Sequence, residues 1–177
     1  RKRMEDALRQ SEERYRELVE SANDITYIQD LAGNFPAINK AGEQVTGYTH
    51  DEILGMNISR IMAPESLELA RQMIARKISE GGETQYELEI VAKDGHRISL
   101  EVSSRLIFEG NKPVSVQGIA RDITGRKKME QELLRLSDAV RMSTDSIIIT
   151  DLEGNIVDIN EAALKMQGIS RKSDLQG

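Results

Sequence analysis

Two short stretches of this 177-residue chain hold residue types in an order that could do chemistry. His50-Asp51-Glu52 has the look of a phosphoacceptor box, in which an imidazole nitrogen takes a phosphoryl group. The basic residue and the proline that such a box carries just downstream are missing, so a structural role is expected. Gly81-Gly82-Glu83-Thr84 echoes the signature loop of a diguanylate cyclase, yet it lies between a helix stop and a strand start with no nucleotide-binding surroundings, and it is expected to be a turn. The two histidines, His50 and His96, fall at a helix start and in a hairpin turn, where surface positions are expected. With no cysteine anywhere, disulfides, Cys-type zinc sites and thiolate chemistry are excluded, which is compatible with a reducing cytoplasm. No catalytic residue and no metal ligand is assigned.

The formal net charge of −6, with Lys and Arg spread among Asp and Glu, argues against nucleic acid, whose phosphates require a concentrated basic face. The longest purely aliphatic run is Ile147-Ile148-Ile149, far short of the ~20 apolar residues of a membrane-spanning helix, and no signal peptide is recognisable. A cytoplasmic location is expected, whether or not a longer protein is anchored in a membrane. The chain opens at Arg1 without an initiator Met and is expected to be a piece of such a protein.

The elements that must position any site are legible from periodicity. Met4, Leu8, Ser11, Tyr15, Leu18 and Ala22 recur at alternating spacings of four and three in an otherwise charged stretch, a heptad stripe with an expected partner helix. Ile25–Leu31 and Phe35–Lys40 read as strands joined across Ala32-Gly33-Asn34, and Pro36, lacking an N–H, places the second at a sheet edge. Helical punctuation fills residues 41–79, with the strongest helix opening at Pro64 and running through Leu67, Ala70, Met73, Ile74 and Ile78 until Gly81-Gly82 stops it. Tyr86, Leu88 and Ile90 alternate with acids, Ile98, Leu100 and Val102 alternate with polar residues, and Lys93-Asp94-Gly95 turns between them. Val114–Ile123 supplies a fifth strand. A second heptad stripe, Met129, Leu133, Leu136 and Val140, follows it.

Residues 24–48 recur as residues 145–169 at a constant offset of 121, with ten identities in 25 positions, among them Asp30/Asp151, Gly33/Gly154, Asn34/Asn155 and Asn39/Asn160. The chain therefore holds one strand–turn–strand–helix unit twice. The motifs Asp30-Leu31-Ala32-Gly33-Asn34, Ile38-Asn39-Lys40-Ala41 and Gly47-Tyr48-Thr49, then Lys93-Asp94-Gly95 with Arg97, then Gly118-Ile119-Ala120-Arg121-Asp122-Ile123-Thr124, together resemble the PAS family. The resemblance covers residues 12–135 fully and 136–177 in part, and its specificity lies in the order and spacing of the motifs.

What the resemblance implies is an α+β fold, a five-stranded antiparallel sheet in spatial order 2-1-5-4-3 with helices on one face, flanked by coiled-coil-type helices. Residues 1–20 are expected to be a helical connector, 21–124 a sensory domain, 125–142 a helical linker and 143–177 the truncated start of a second PAS domain. Tyr27, Asn39, Met73, Ile74, Tyr86, Leu88, Leu100, Val102 and Gln117 are the expected pocket residues for a small-molecule ligand, although the same side chains would also serve as a filled core, and Asn39 and Asn160 as helix caps. Asp122, Ile123 and Thr124 form the expected output junction, with Arg97 a conceivable partner of Asp122. Met4, Leu8, Tyr15, Leu18, Met129, Leu133, Leu136 and Val140 are the expected homodimer seam. The cofactor is left open: haem-binding relatives take an axial His from the long helix, which has none here, and flavin-adduct relatives need a Cys. The implied function is a sensory or relay module of a multi-domain signalling protein, a sensor histidine kinase of a two-component system by preference, with a ligand-free dimerisation spacer in a diguanylate cyclase or transcriptional regulator as the alternative. In either case a downstream output domain in the same chain is expected.

Overall fold

Period-two alternation in the middle of the chain demands a sheet with one covered face, and the computed structural model, which describes residues 2–168, has one. A helix α1 (Lys2–Glu20) precedes β1 (Ile25–Asp30) and β2 (Ala37–Ile38); α2 (Lys40–Thr46), α3 (His50–Ile53) and a 3-10 turn (Ile58–Arg60) lead into α4 (Pro64–Glu80). Then come β3 (Glu83–Val91), β4 (Arg97–Glu109) and β5 (Lys112–Asp122). These five strands pair antiparallel in the order β2-β1-β5-β4-β3. Beyond them lie α5 (Thr124–Met142), β6 (Ile148–Thr150), β7 (Ile156–Ile159) and α6 (Glu161–Met166). The chain divides into two compact units at Thr124/Gly125. The expected second-copy residues 169–177 lie outside the described residues.

Pro36 explains why the second strand is shorter than Phe35–Lys40. It has no N–H to donate, and the backbone on either side of it is already committed. Phe35 N–H bonds the Met56 carbonyl and Phe35 O accepts from Gly55, while Asn39 leaves the strand to cap α2. Ala37 and Ile38 pair with β1 at the sheet edge, and Asn39 adds one last backbone bond, its N–H to the Thr26 carbonyl. Gly33 supplies the left-handed turn residue, at φ +97°, that the β1–β2 connection needs.

The first unit's core lies between the sheet and α2–α4, around Ile25, Phe35, Ile53, Ile90, Ile98 and Val102. One cross-strand row of that inner face depends on a glycine. Tyr27, Gly118, Ser104 and Thr84 are successive register partners on β1, β5, β4 and β3. The hydroxyl end of the Tyr27 ring lies over Gly118, so a Cβ there would sit 2.3 Å from the ring Cζ and 2.4 Å from the hydroxyl oxygen.

No helix among the described residues is long and apolar enough to cross a membrane. On α1, Met4, Leu8, Tyr15 and Leu18 are each more than half exposed, and in the second unit Met129, Leu133 and Leu136 on α5 are too.

The overlap at Gly118 sets a prediction. Gly118→Ala destabilises the chain by about 1–3 kcal/mol in urea unfolding, the cost of overpacking a filled site. Tyr27→Leu in the same molecule recovers part of that loss, a coupling that vanishes if the ring does not cover the glycine.

Candidate functional site

Inward-facing positions of the sheet are Ile25, Tyr27 and Gln29 of β1, Val116 and Ala120 of β5, Leu100 and Val102 of β4, and Tyr86, Leu88 and Ile90 of β3, with Ala70, Ile74 and Lys77 of α4 above them. Between them is an internal space of about 60 Å³. It is lined by hydrocarbon except for Tyr27, Tyr86, Gln29, Thr46 and Lys77. Six expected pocket residues are therefore brought together: Tyr27, Ile74, Tyr86, Leu88, Leu100 and Val102.

Three expected pocket residues lie elsewhere. Met73 is one helical step, about 100°, from Ile74 and so leaves the Ala70–Ile74–Lys77 stripe that faces the sheet. Gln117 is out of phase with Val116 and Gly118, and from the other face of the sheet it accepts two hydrogen bonds from the Arg105 guanidinium, at 2.9 and 3.2 Å. Asn39, 1% exposed, is wholly occupied by backbone. Its Oδ1 accepts from Thr26 N–H at 3.0 Å and Gly42 N–H at 3.3 Å, and its Nδ2 donates to the Val19 and Asp24 carbonyls, each at 3.0 Å. One side chain thus caps α2, fixes the start of β1 and holds a carbonyl in the last turn of α1. Asn160 repeats this in the second unit: it accepts from Ile147 and Ala163 N–H and donates to the Val140 and Asp145 carbonyls, every partner displaced by 121.

Lys77 is the residue that the sequence reading missed. It is 1% exposed, and its ammonium donates to Ser104 Oγ and stands 5.6 Å from the centre of the Tyr86 ring, within cation–π range. No carboxylate reaches it among the described residues, and burial pushes its pKa down to about 8. Burial likewise raises the Tyr27 and Tyr86 phenols above their ordinary value, though the Ser104 hydroxyl they share opposes this. Next to Ser104 in the row, Thr84 Oγ1 is buried without a partner. The signal was present in the sequence, since Lys77 follows Ala70 and Ile74 at helical spacing and so falls on a stripe that should be apolar.

At the end of β5 the backbone is closed on Ser99. Ile123 N–H donates to Ser99 O, Ser99 N–H donates to Thr124 Oγ1, and Thr124 N–H donates to Asp122 Oδ1, at 2.9, 2.9 and 2.8 Å. Ile123 is buried. Arg97 does not pair with Asp122: its guanidinium holds Glu89 at 2.9 Å and also Glu65. Strand phase explains the difference, because Asp122 faces Leu100 in the register, and Arg97, three residues before Leu100, points to the opposite side.

The residues that resembled catalytic motifs lie at element ends and in turns. His50 is the exposed first residue of the four-residue α3, and His96 sits in the β3–β4 turn with its ring against the Asp94 carboxylate. Gly81 and Gly82 end α4 at φ +72° and +84°. Among the described residues no group of three or more His, Asp or Glu side chains is arranged to hold a metal.

The Asn39 geometry predicts a specific failure. Asn39→Asp keeps the two acceptor contacts and strands the Val19 and Asp24 carbonyls beside a buried charge, costing at least about 2 kcal/mol in thermal or urea unfolding. A loss under about 0.5 kcal/mol contradicts the assignment.

Comparison with known proteins agrees with this arrangement. The chain is 36% identical over 126 residues to the methyl sulfide methyltransferase-associated sensor of Methanosarcina acetivorans, covering 71% of this chain and 12% of that protein. It is 26% identical over 173 residues to sporulation kinase E of Bacillus subtilis, covering 96% of this chain and 23% of the kinase. The chain thus spans less than a quarter of either relative. Among solved structures, a domain of a sensory box sensor histidine kinase/response regulator from Geobacter sulfurreducens superimposes with a TM-score of 0.55 at 29% identity, over 65% of this chain and 96% of that one. The PAS domain pattern matches residues 23–125 and again residues 144–177. On that match, which takes in well over half of its residues, this chain belongs to the PAS domain family.

Proposed function

We propose that the chain is the sensory part of a longer signalling protein, a sensor histidine kinase, and that residues 21–124 transmit the state of the inner-face pocket through the helices at either end. In this reading residues 1–20 are the incoming connector, 125–142 the outgoing linker and 143–177 the start of a second PAS domain. The observation that carries it is the attachment of both helices to one sheet: Asn39 holds the end of α1 against β1, and Ser99 of β4 holds the first residue of α5. A change in the sheet or in α4 would then reach both helices through backbone hydrogen bonds rather than through a loose loop. The exposed stripes Met4, Leu8, Tyr15, Leu18 and Met129, Leu133, Leu136, Val140 fit a parallel homodimer in which two copies pair these helices in a cytoplasmic location. The kinase relatives support an output domain in the same chain.

A second reading is favoured by the size of the internal space, about 60 Å³ against the ~300 Å³ or more of an ordinary small-molecule pocket. In it the domain is a filled dimerisation spacer of a diguanylate cyclase or transcriptional regulator and binds nothing.

The junction supplies the test. In the full-length protein, Asp122→Ala and Thr124→Ala each cost about 0.5–2 kcal/mol of domain stability, as lost caps do, and leave the domain folded. Autokinase activity is expected to become locked high or low in both variants, out of proportion to that loss. Activity and signal response at wild-type levels in both would reduce the junction to a plain connector and overturn the reading.

A further inference from the structure

The inner-face space has a charge imbalance that the chain does not resolve by itself. Its lining offers a single charged group, Lys77, and that ammonium meets a neutral hydroxyl and a ring face instead of an anion. An ammonium carries three donors and no acceptor. One is spent on Ser104, which lies beside the Tyr27 and Tyr86 phenols. Two of the ammonium's three donors are left without an acceptor, and among the described residues the titratable side chains that line the cavity with Lys77 are two tyrosines, Tyr27 and Tyr86, which remain neutral at physiological pH. A buried charge without a counter-charge is costly, and an anion entering this space would supply the missing acceptors and the missing charge together.

Charge and volume limit which anion. No arginine lines the cavity and Lys77 is its one cation, so a single negative charge is matched and a phosphate dianion is not. A space of about 60 Å³ admits a handful of heavy atoms, and away from Lys77 its walls are hydrocarbon. We propose that the cavity beneath α4 binds a short-chain monocarboxylate, its head against the Lys77 ammonium and its tail among Ile25, Leu88 and Leu100. This deepens and rests on the reading of residues 21–124 as a sensory domain. Seated there, the ligand touches α4 and three strands at once, including β4, whose Ser99 anchors α5.

The test uses the 177-residue chain and isothermal titration with sodium acetate, propionate and butyrate, and with the primary alcohols of the same chain lengths. A ligand of about four to six heavy atoms is expected to bind with Kd between roughly micromolar and millimolar. At least one acid is expected to bind at least tenfold tighter than its alcohol, and Lys77→Met, with fold checked by circular dichroism, to weaken that acid at least tenfold. In the unmutated chain, where no variant can misfold, affinity for the acid is expected to fall between pH 7 and pH 10 as the ammonium loses its proton, the carboxylate staying ionised throughout. Alcohols binding as tightly as acids would overturn the anionic assignment and leave a sensory pocket standing. Acid binding that survives Lys77→Met, equal suppression of binding by millimolar chloride or nitrate as simple anions, or no binding by any member at 10 mM would each overturn the proposal. The junction variants need no ligand, so their result fails or stands separately.

Discussion

An ammonium group buried under a helix, with no carboxylate opposite it among the described residues, constrains the rest of the first unit. Lys77 must find its partners on the sheet below, and the sheet supplies them as one transverse row, in which each residue fits because of its neighbour. Ser104 receives the ammonium, and Gly118 is bare so that the Tyr27 ring can cross it, while Tyr86 from the neighbouring row offers its ring to the ammonium. Replacing Lys77 by a hydrocarbon side chain of similar volume would relieve the desolvation cost, as it does for other buried ions. Stability alone therefore does not account for the lysine.

The second constraint is the asparagine at the strand-to-helix junction. Asn39 and Asn160 have the same four backbone partners displaced by 121 residues, and the repeat thereby extends upstream of the strands, into the last turn of the preceding helix at Val19 and Val140. The incoming helix is part of the unit's hydrogen-bond inventory and not an appendage. The same helix α5 begins at a residue bonded to Ser99 and reaches in its last turn a carbonyl bonded to Asn160.

Much of this was legible in the sequence, and the reasons for the rest are physical. Strand alternation, the glycine stops and Pro36 at the edge come from local rules, and they recover the element order and, with the family resemblance, the strand order. Side-chain phase was harder. Gln117 was assigned to the wrong face because its strand reads Val114-Ser115-Val116-Gln117-Gly118, where only the covered glycine at 118 tells which parity is inward. Met73 and Ile74 are adjacent apolar residues, and only the position of the sheet selects one. Arg97 and Asp122 looked complementary in charge, yet strand register sends them to opposite faces. Lys77 was passed over because a charged residue late in a helix reads as solvated by default, although its spacing from Ala70 and Ile74 contradicted that default.

The ionisation state of the Lys77 side chain is the quantity on which the rest depends. The 1H–13C correlation of the lysine Cε groups, followed as a function of pH with Lys77 assigned by its absence in Lys77→Met, reports each lysine's titration directly. Lys77 is expected to titrate near pH 8 while solvated lysines titrate near their ordinary value of about 10.4. If all the lysines titrate together above pH 10, the ammonium is in water, the row across the sheet has no buried charge to serve, and the account is wrong.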